Sequence, residues 1–318
     1  MSRHLRIMLS VFIVLFMLIV SACGPGDRSA TSEAMDVEET AETTAARDAV
    51  QWLRGRQESD GSFPAAFGHP AAMTLDALLA GAAVGDDVSE WRTGEQSALD
   101  YLAATMDEYA TGPDTTGKLI AGVVAAGEDP RDFGQTDLVR WLMDHHDGMG
   151  SFGEGAVQQS WALLGLAAAD APVETPMIDT LLAMQTPEGG WDSGWGVDAD
   201  TTALALQALA AAGVSADHEA IVNGVDYLRT QQAATGGFFS FGTDSNPNTT
   251  AFAIQALVAV GEDPRSDDWA RDGQTPVQDL LRFQLADGSF EYAPGDGSNL
   301  YATAQAVPAL MERPFPIK

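Results

Sequence analysis

Asp198-Ala199-Asp200 sets two carboxylates two residues apart at the head of an alanine- and leucine-rich run, with Asp192 upstream on a glycine-rich stretch. Oxygen donors grouped in this way are what calcium takes, although no recognised calcium-loop pattern surrounds them. The same run recurs elsewhere, and the repeats align Asp200 with Asp114, Asn248 and Ser298, each just before an apolar stretch. Asp, Asn and Ser cap helices by accepting backbone N–H bonds, worth about 1 kcal/mol each, so Asp200 reads first as a cap. Asp198, aligned with Asn246 and Asp296, has no evident capping duty and is the freer carboxylate. Cys23 is the only cysteine, which excludes an internal disulfide framework, a cysteine-based zinc site and a cysteine nucleophile. Neither a metal site nor a resident cofactor is expected.

The elements that hold these residues come in repeats. Glycine landmarks followed by an aromatic return about every 40 to 50 residues: Gly61-Ser62-Phe63, Gly150-Ser151-Phe152, Gly189-Gly190-Trp191, Gly236-Gly237-Phe238 and Gly288-Ser289-Phe290, with Thr111-Gly112 as a sixth member lacking the aromatic. An amphipathic stretch, often ending in Gln (Gln57, Gln185, Gln231, Gln284), precedes each landmark. An Ala/Leu-rich run follows, and residues 115–127, 158–170, 201–213 and 249–261 superpose without gaps. Runs apolar on every side are buried inner helices, and stretches with one charged face are outer ones. No alternating β pattern of useful length appears. The expected fold is all-α: a closed ring of six helical hairpins, an α6/α6 toroid, over residues 45–318.

In such a ring the N-terminal ends of the inner helices meet at one mouth. That mouth would collect Asp198, Asp200, Asn246 and Asn248 among Trp195, Phe241, Tyr292 and Tyr301, with His69 just before the first inner helix. Apolar walls with a few convergent polar groups make a small-molecule site, so these nine residues are the expected ligand contacts. Trp191, Phe152, Phe238 and Phe290 are expected to pack in the joints between repeats.

The Gln-x-x-x-x-Gly-[Ser/Gly]-[Phe/Trp] element resembles the QW repeat of squalene and oxidosqualene cyclases. The whole pattern is similar to the prenyltransferase/squalene-cyclase α/α-toroid superfamily. Gly127-Glu128-Asp129-Pro130-Arg131 and Gly261-Glu262-Asp263-Pro264-Arg265 are similar to segments of bacterial surface proteins with transcobalamin-like rings. The superfamily contains enzymes and pure binders, so the resemblance implies fold more firmly than activity. Asp198-Ala199-Asp200-Thr201-Thr202-Ala203 resembles the acidic Asp-x-Asp-Asp-Thr-Ala motif of the cyclases, whose middle aspartate, here Asp200, protonates an alkene. Thr201 replaces the third aspartate. The transcobalamin resemblance implies a corrinoid ligand, with His69 as the group that would meet its cobalt.

Arg3, His4 and Arg6 followed by the apolar run Ile7 to Ala22 read as a signal peptide, residues 1–22. Val20-Ser21-Ala22-Cys23 resembles a lipobox, which makes Cys23 the expected lipidation site. Residues 23–44 are Gly, Pro, Ser, Thr and acid, a flexible tether. The protein is therefore expected to be exported and lipid-anchored on the outer face of the cell membrane, or on the outer membrane of a cell that has one. A net charge of −30 excludes DNA and RNA as partners. Three readings stay open. One is a non-catalytic surface lipoprotein that captures a terpenoid- or corrinoid-like ligand, passing it to a transporter. The second is a terpene-cyclase-like or polysaccharide-active enzyme using Asp198 and Asp200, and the third is a ring that binds another surface protein.

Overall fold

A computed structural model of the protein describes residues 40–318. The signal peptide, Cys23 and most of the tether lie outside the described residues. Six outer helices alternate with six inner ones. The outer set is α1 (Ala41–Arg54), α3 (Ala98–Tyr109), α5 (Leu138–Asp144), α7 (Thr175–Ala183), α9 (Glu219–Thr230) and α11 (Pro276–Leu281). The inner set is α2 (Pro70–Ala83), α4 (Pro113–Ala125), α6 (Ala156–Ala168), α8 (Ala199–Ala211), α10 (Pro247–Ala259) and α12 (Leu300–Leu310). Helix α1 starts at Ala41, four residues before the composition shifts at Ala45, because Thr40 caps it through Thr43 N–H. Two antiparallel strand pairs, Trp191–Asp192 with Val197–Asp198 and Phe290–Glu291 with Ser298–Asn299, escape the sequence pattern because each strand is only two residues long.

Each inner helix packs on the next, and α12 packs on both α2 and α1, so the ring closes. Helices α4 and α6 meet backbone to backbone. A Cβ on Gly117 would lie 2.1 Å from the Trp161 carbonyl oxygen, so only glycine permits that approach.

The repeated glutamine explains how neighbouring units are joined. Gln57 Nε2 donates to Gly61 O and, in the next unit, to Trp91 O (3.0 and 2.9 Å). Gln185 does the same to Gly189 O and Ala220 O. Gln284 reaches Gly288 O and then Ala45 O on α1, which fastens the last unit to the first. In the fifth unit the residue is Gln232, not Gln231: Gln232 donates to Gly236 O and Trp269 O, whereas Gln231 only meets Thr230. The third unit has no such glutamine, and Gln159 of α6 substitutes by donating to Gly150 O and Met177 O.

A second column fixes the aromatic landmarks. Thr74, Thr202, Thr250 and Thr303 each accept the N–H of Phe63, Trp191, Phe238 or Phe290 through Oγ1 at 2.9–3.0 Å. These aromatics and Phe152 are fully buried in the joints. All six inner helices end in a left-handed residue: Gly85, Gly127, Asp170, Gly213, Gly261 and Glu312. The residue after each donates to the carbonyl five back, as in Glu262 N–H to Leu257 O, and so closes the last turn.

Candidate functional site

The cap column lies two residues earlier than the sequence alignment placed it. Asp198 caps α8, with Oδ1 accepting Thr201 N–H at 2.8 Å and Oδ2 accepting the Thr201 hydroxyl at 3.1 Å. Asn246 caps α10 through Thr249 N–H, and Asn299 caps α12 through Ala302 N–H. Asp200, Asp114 and Asn248 are therefore not caps: each is the second residue of its helix. Asp296 and Ser298 fall outside both columns, since α12 is capped by Asn299.

Released from capping, Asp200 has a different environment. The residue is partly buried, and its Oδ1 is shut from solvent without a hydrogen-bond partner. Its own N–H donates to Ser240 Oγ on the next unit's loop at 3.2 Å. Burial pushes the carboxyl above the usual carboxylate range, the nearby Asp198 adds to this, and the neighbouring Ser240 and Thr249 hydroxyls oppose it.

Asp200 heads a stripe of side chains directed into the lumen. Two residues before the threonine column stand Asp114, Val157, Asp200, Asn248 and Tyr301; two residues after it stand Asp76, Lys118, Trp161, Leu204, Phe252 and Gln305. Positions four apart share a helix face. The contacts agree: Asn248 Nδ2 donates to Gln305 Oε1 across to α12 at 2.5 Å, and Lys118 Nζ pairs with Asp76 Oδ1 at 2.7 Å. Lys118 also stands over the Trp161 ring at 5.7 Å. Tyr109, at the end of α3, is buried beside Asp76 and Asp114, and burial drives its hydroxyl's pKa upward. The lumen thus has a carboxyl at the mouth, an ion pair in the middle layer and aromatics around both.

The remaining expected contacts divide. Tyr301 belongs to the stripe, with its ring stacked on Phe67 and its hydroxyl donating to Phe67 O at 3.0 Å. Trp195, Phe241 and Tyr292 are instead exposed on the loops around the mouth, Trp195 at 90%. His69 caps α2, Nδ1 accepting Ala71 N–H at 3.1 Å, while Nε2 lies 4.0 Å from Glu108. Asp192 Oδ1 accepts the N–H groups of Gly194 and Gly196, which shapes its loop. Among the described residues no group of three or more His, Cys, Asp or Glu side chains could hold a metal ion. Sequence reasoning missed Asp76, Lys118 and Trp161; the signal was their position two residues after the threonine column. Clefts of about 570 and 520 Å³ open on this face at the joints of units two to four, both touching Glu154 and away from Asp200.

Residues 166–300 match the family model of the squalene-hopene cyclase C-terminal domain. The type II terpene cyclase MstE from Scytonema superposes with a TM-score of 0.59 at 17% identity, over 85% of this chain and 97% of that one. A variant of it in complex with geranylgeranyl dihydroxybenzoate superposes at 0.61, with 18% identity over 86% and 97% of the two chains. The chain has the α/α-toroid fold of the prenyltransferase/squalene-cyclase superfamily. A protein described as a glycosidase shares the toroid at a TM-score of 0.51 and 15% identity, over 88% of this chain and 99% of that one. The toroid therefore does not by itself choose the chemistry. The nearer kinship with transcobalamin-like rings is not shown by these likenesses, and no curated protein matches the sequence.

Proposed function

We propose that the toroid takes an isoprenoid chain into its lumen and acts on it by proton transfer from Asp200, in the manner of a type II terpene cyclase. The observation that carries this reading is the Asp200 carboxyl, with Oδ1 unpartnered and shut from solvent, at the mouth of the lumen. Burial raises its pKa and so favours the protonated form that a donor needs. On transfer its O–H bond breaks and the alkene's π pair forms the C–H bond, leaving a carbocation. The next alkene of the chain closes on that carbocation, and the final cation loses a proton to water. The Ser240 and Thr249 hydroxyls lie near the carboxylate left behind. Asp198 is a poor donor, since both its oxygens are engaged by Thr201; its charge helps keep the proton on Asp200. Support from outside the chain is the shared fold of a cyclase that holds a geranylgeranyl ligand.

The purified protein, incubated with prenyl substrates and assayed for cyclised products, should lose turnover by about a hundredfold or more in Asp200→Asn. Ligand-induced thermal shifts should persist in that variant. Unchanged turnover would remove Asp200 from the mechanism.

One observation favours the non-catalytic reading instead. The Lys118 ammonium in the lumen opposes a carbocation forming near it. Binding without turnover in the wild type would establish capture of a terpenoid- or corrinoid-like ligand. The proposal places either activity outside the cell, on a chain tethered through lipidated Cys23. Labelled palmitate incorporated by the wild type and lost in Cys23→Ser checks the tether.

A further inference from the structure

Beyond α12 the chain turns back across the C-terminal ends of the inner helices. Gln255 Nε2 of α10 donates to Arg313 O at 2.8 Å, and Gln207 Oε1 of α8 accepts the N–H of Phe315 at 2.9 Å. Lys318 Nζ reaches Asp170, just past α6, at 2.5 Å. Phe315 and Ile317 are buried. The Phe315 ring lies 5.3 Å from that of Trp161 on α6 and 6.2 Å from that of Phe252 on α10. Helices α6 and α10 are separated by α8, so a ring that meets both side chains stands inside the toroid. Gln207 and Gln255 sit three residues beyond Leu204 and Phe252, on the next layer of the lumen stripe. Amides buried there would be costly without partners; the tail backbone serves Gln255 Nε2 and Gln207 Oε1, while Gln207 Nε2 donates to Ala203 O in its own helix.

We propose that Arg313–Lys318 forms the floor of the lumen and that Phe315 sets the length of the isoprenoid chain the lumen accepts. This rests on the isoprenoid reading above. A chain entering at Asp200 runs down past Trp161 and stops at the Phe315 ring. Removing that ring leaves a space walled by Trp161 and Phe252, aromatic on both sides and suited to one more isoprene unit. A larger ring shortens the lumen instead.

The test is equilibrium binding of geraniol, farnesol and geranylgeraniol, read by tryptophan fluorescence, to the wild type and to Phe315→Ala, Phe315→Leu and Phe315→Trp. Each protein is first checked for a cooperative melt. Phe315→Ala should favour the longest alcohol that the wild type disfavours by about tenfold or more relative to the shorter ones, from the apolar area added. Phe315→Leu should shift the profile less, and Phe315→Trp should shift it toward shorter chains. Should Phe315→Ala fail to fold, those two variants carry the test, since they predict opposite directions. An identical length profile in every folded variant overturns the floor assignment and leaves the isoprenoid reading standing. A wild type that binds none of the alcohols overturns both.

Discussion

Burial acts on Asp200 in a way that stability measurements can read without any substrate. A carboxyl raised in the fold holds its proton more tightly than the unfolded chain does. Its contribution is then complete at low pH and is lost as pH rises through the folded-state value. Asp200→Asn keeps the shape and removes the titration. The variant's melting temperature should therefore gain on the wild type from acid to neutral pH, as followed by scanning calorimetry; a flat difference would mean that folding leaves the carboxyl's hold on its proton unchanged. The Asp76–Lys118 pair is a second residue-level test. Lys118 is 16% and Asp76 8% exposed, so Lys118→Met leaves a nearly buried carboxylate unpaired, at a cost of about 3 kcal/mol. Urea unfolding should show this loss and its partial recovery when Asp76→Asn is added.

At the scale of elements, the joints between units rest on single side chains. The two N–H donors of Gln284 Nε2 go to two carbonyls, Gly288 O in its own loop and Ala45 O on α1. Gln284→Ala removes both bonds and strands Gly288 O, while Ala45 O keeps its bond within α1, and a loss of about 1–2 kcal/mol in urea unfolding is expected. The closing glycines of the inner helices differ in kind. A Cβ at Gly213 would meet nothing within 4 Å, and its φ is +83°. The cost of Gly213→Ala is therefore backbone strain alone, about 1 kcal/mol. The same unfolding measurement checks it, and a much larger loss would point to packing that the open space does not show.

The whole molecule behaves differently from an open stack of hairpins. In a solenoid the end units touch one neighbour and fray first, but here α12 contacts α1 and α2 and no described unit is terminal. Near-ultraviolet and far-ultraviolet circular dichroism should therefore report coincident unfolding transitions. The net charge of −30 pushes the compact state apart. Raising ionic strength from roughly 0.01 to 1 M screens that repulsion over a few ångströms, so the melting temperature should climb with added sodium chloride. A melting temperature indifferent to salt would mean that the carboxylates are already neutralised locally.

Repeat and class were legible in the sequence because both are written in local residue types. Glycine landmarks mark turns, and the Ala/Leu runs mark helices too apolar to face water, so twelve helices in six pairs followed from pattern alone. The site was legible only to within two residues. Asp198 and Asp200, like Asn246 and Asn248, are of the same type in both columns, and composition cannot tell which of two like side chains turns back to its own helix. Adjacent Gln231 and Gln232 pose the same problem, settled by which amide reaches Gly236 and Trp269. The ion pair of Asp76 and Lys118, 42 residues apart in the chain, and the Phe315 ring between α6 and α10 had no local signal. Ring closure brings those groups together, and long-range geometry is what a residue pattern does not encode.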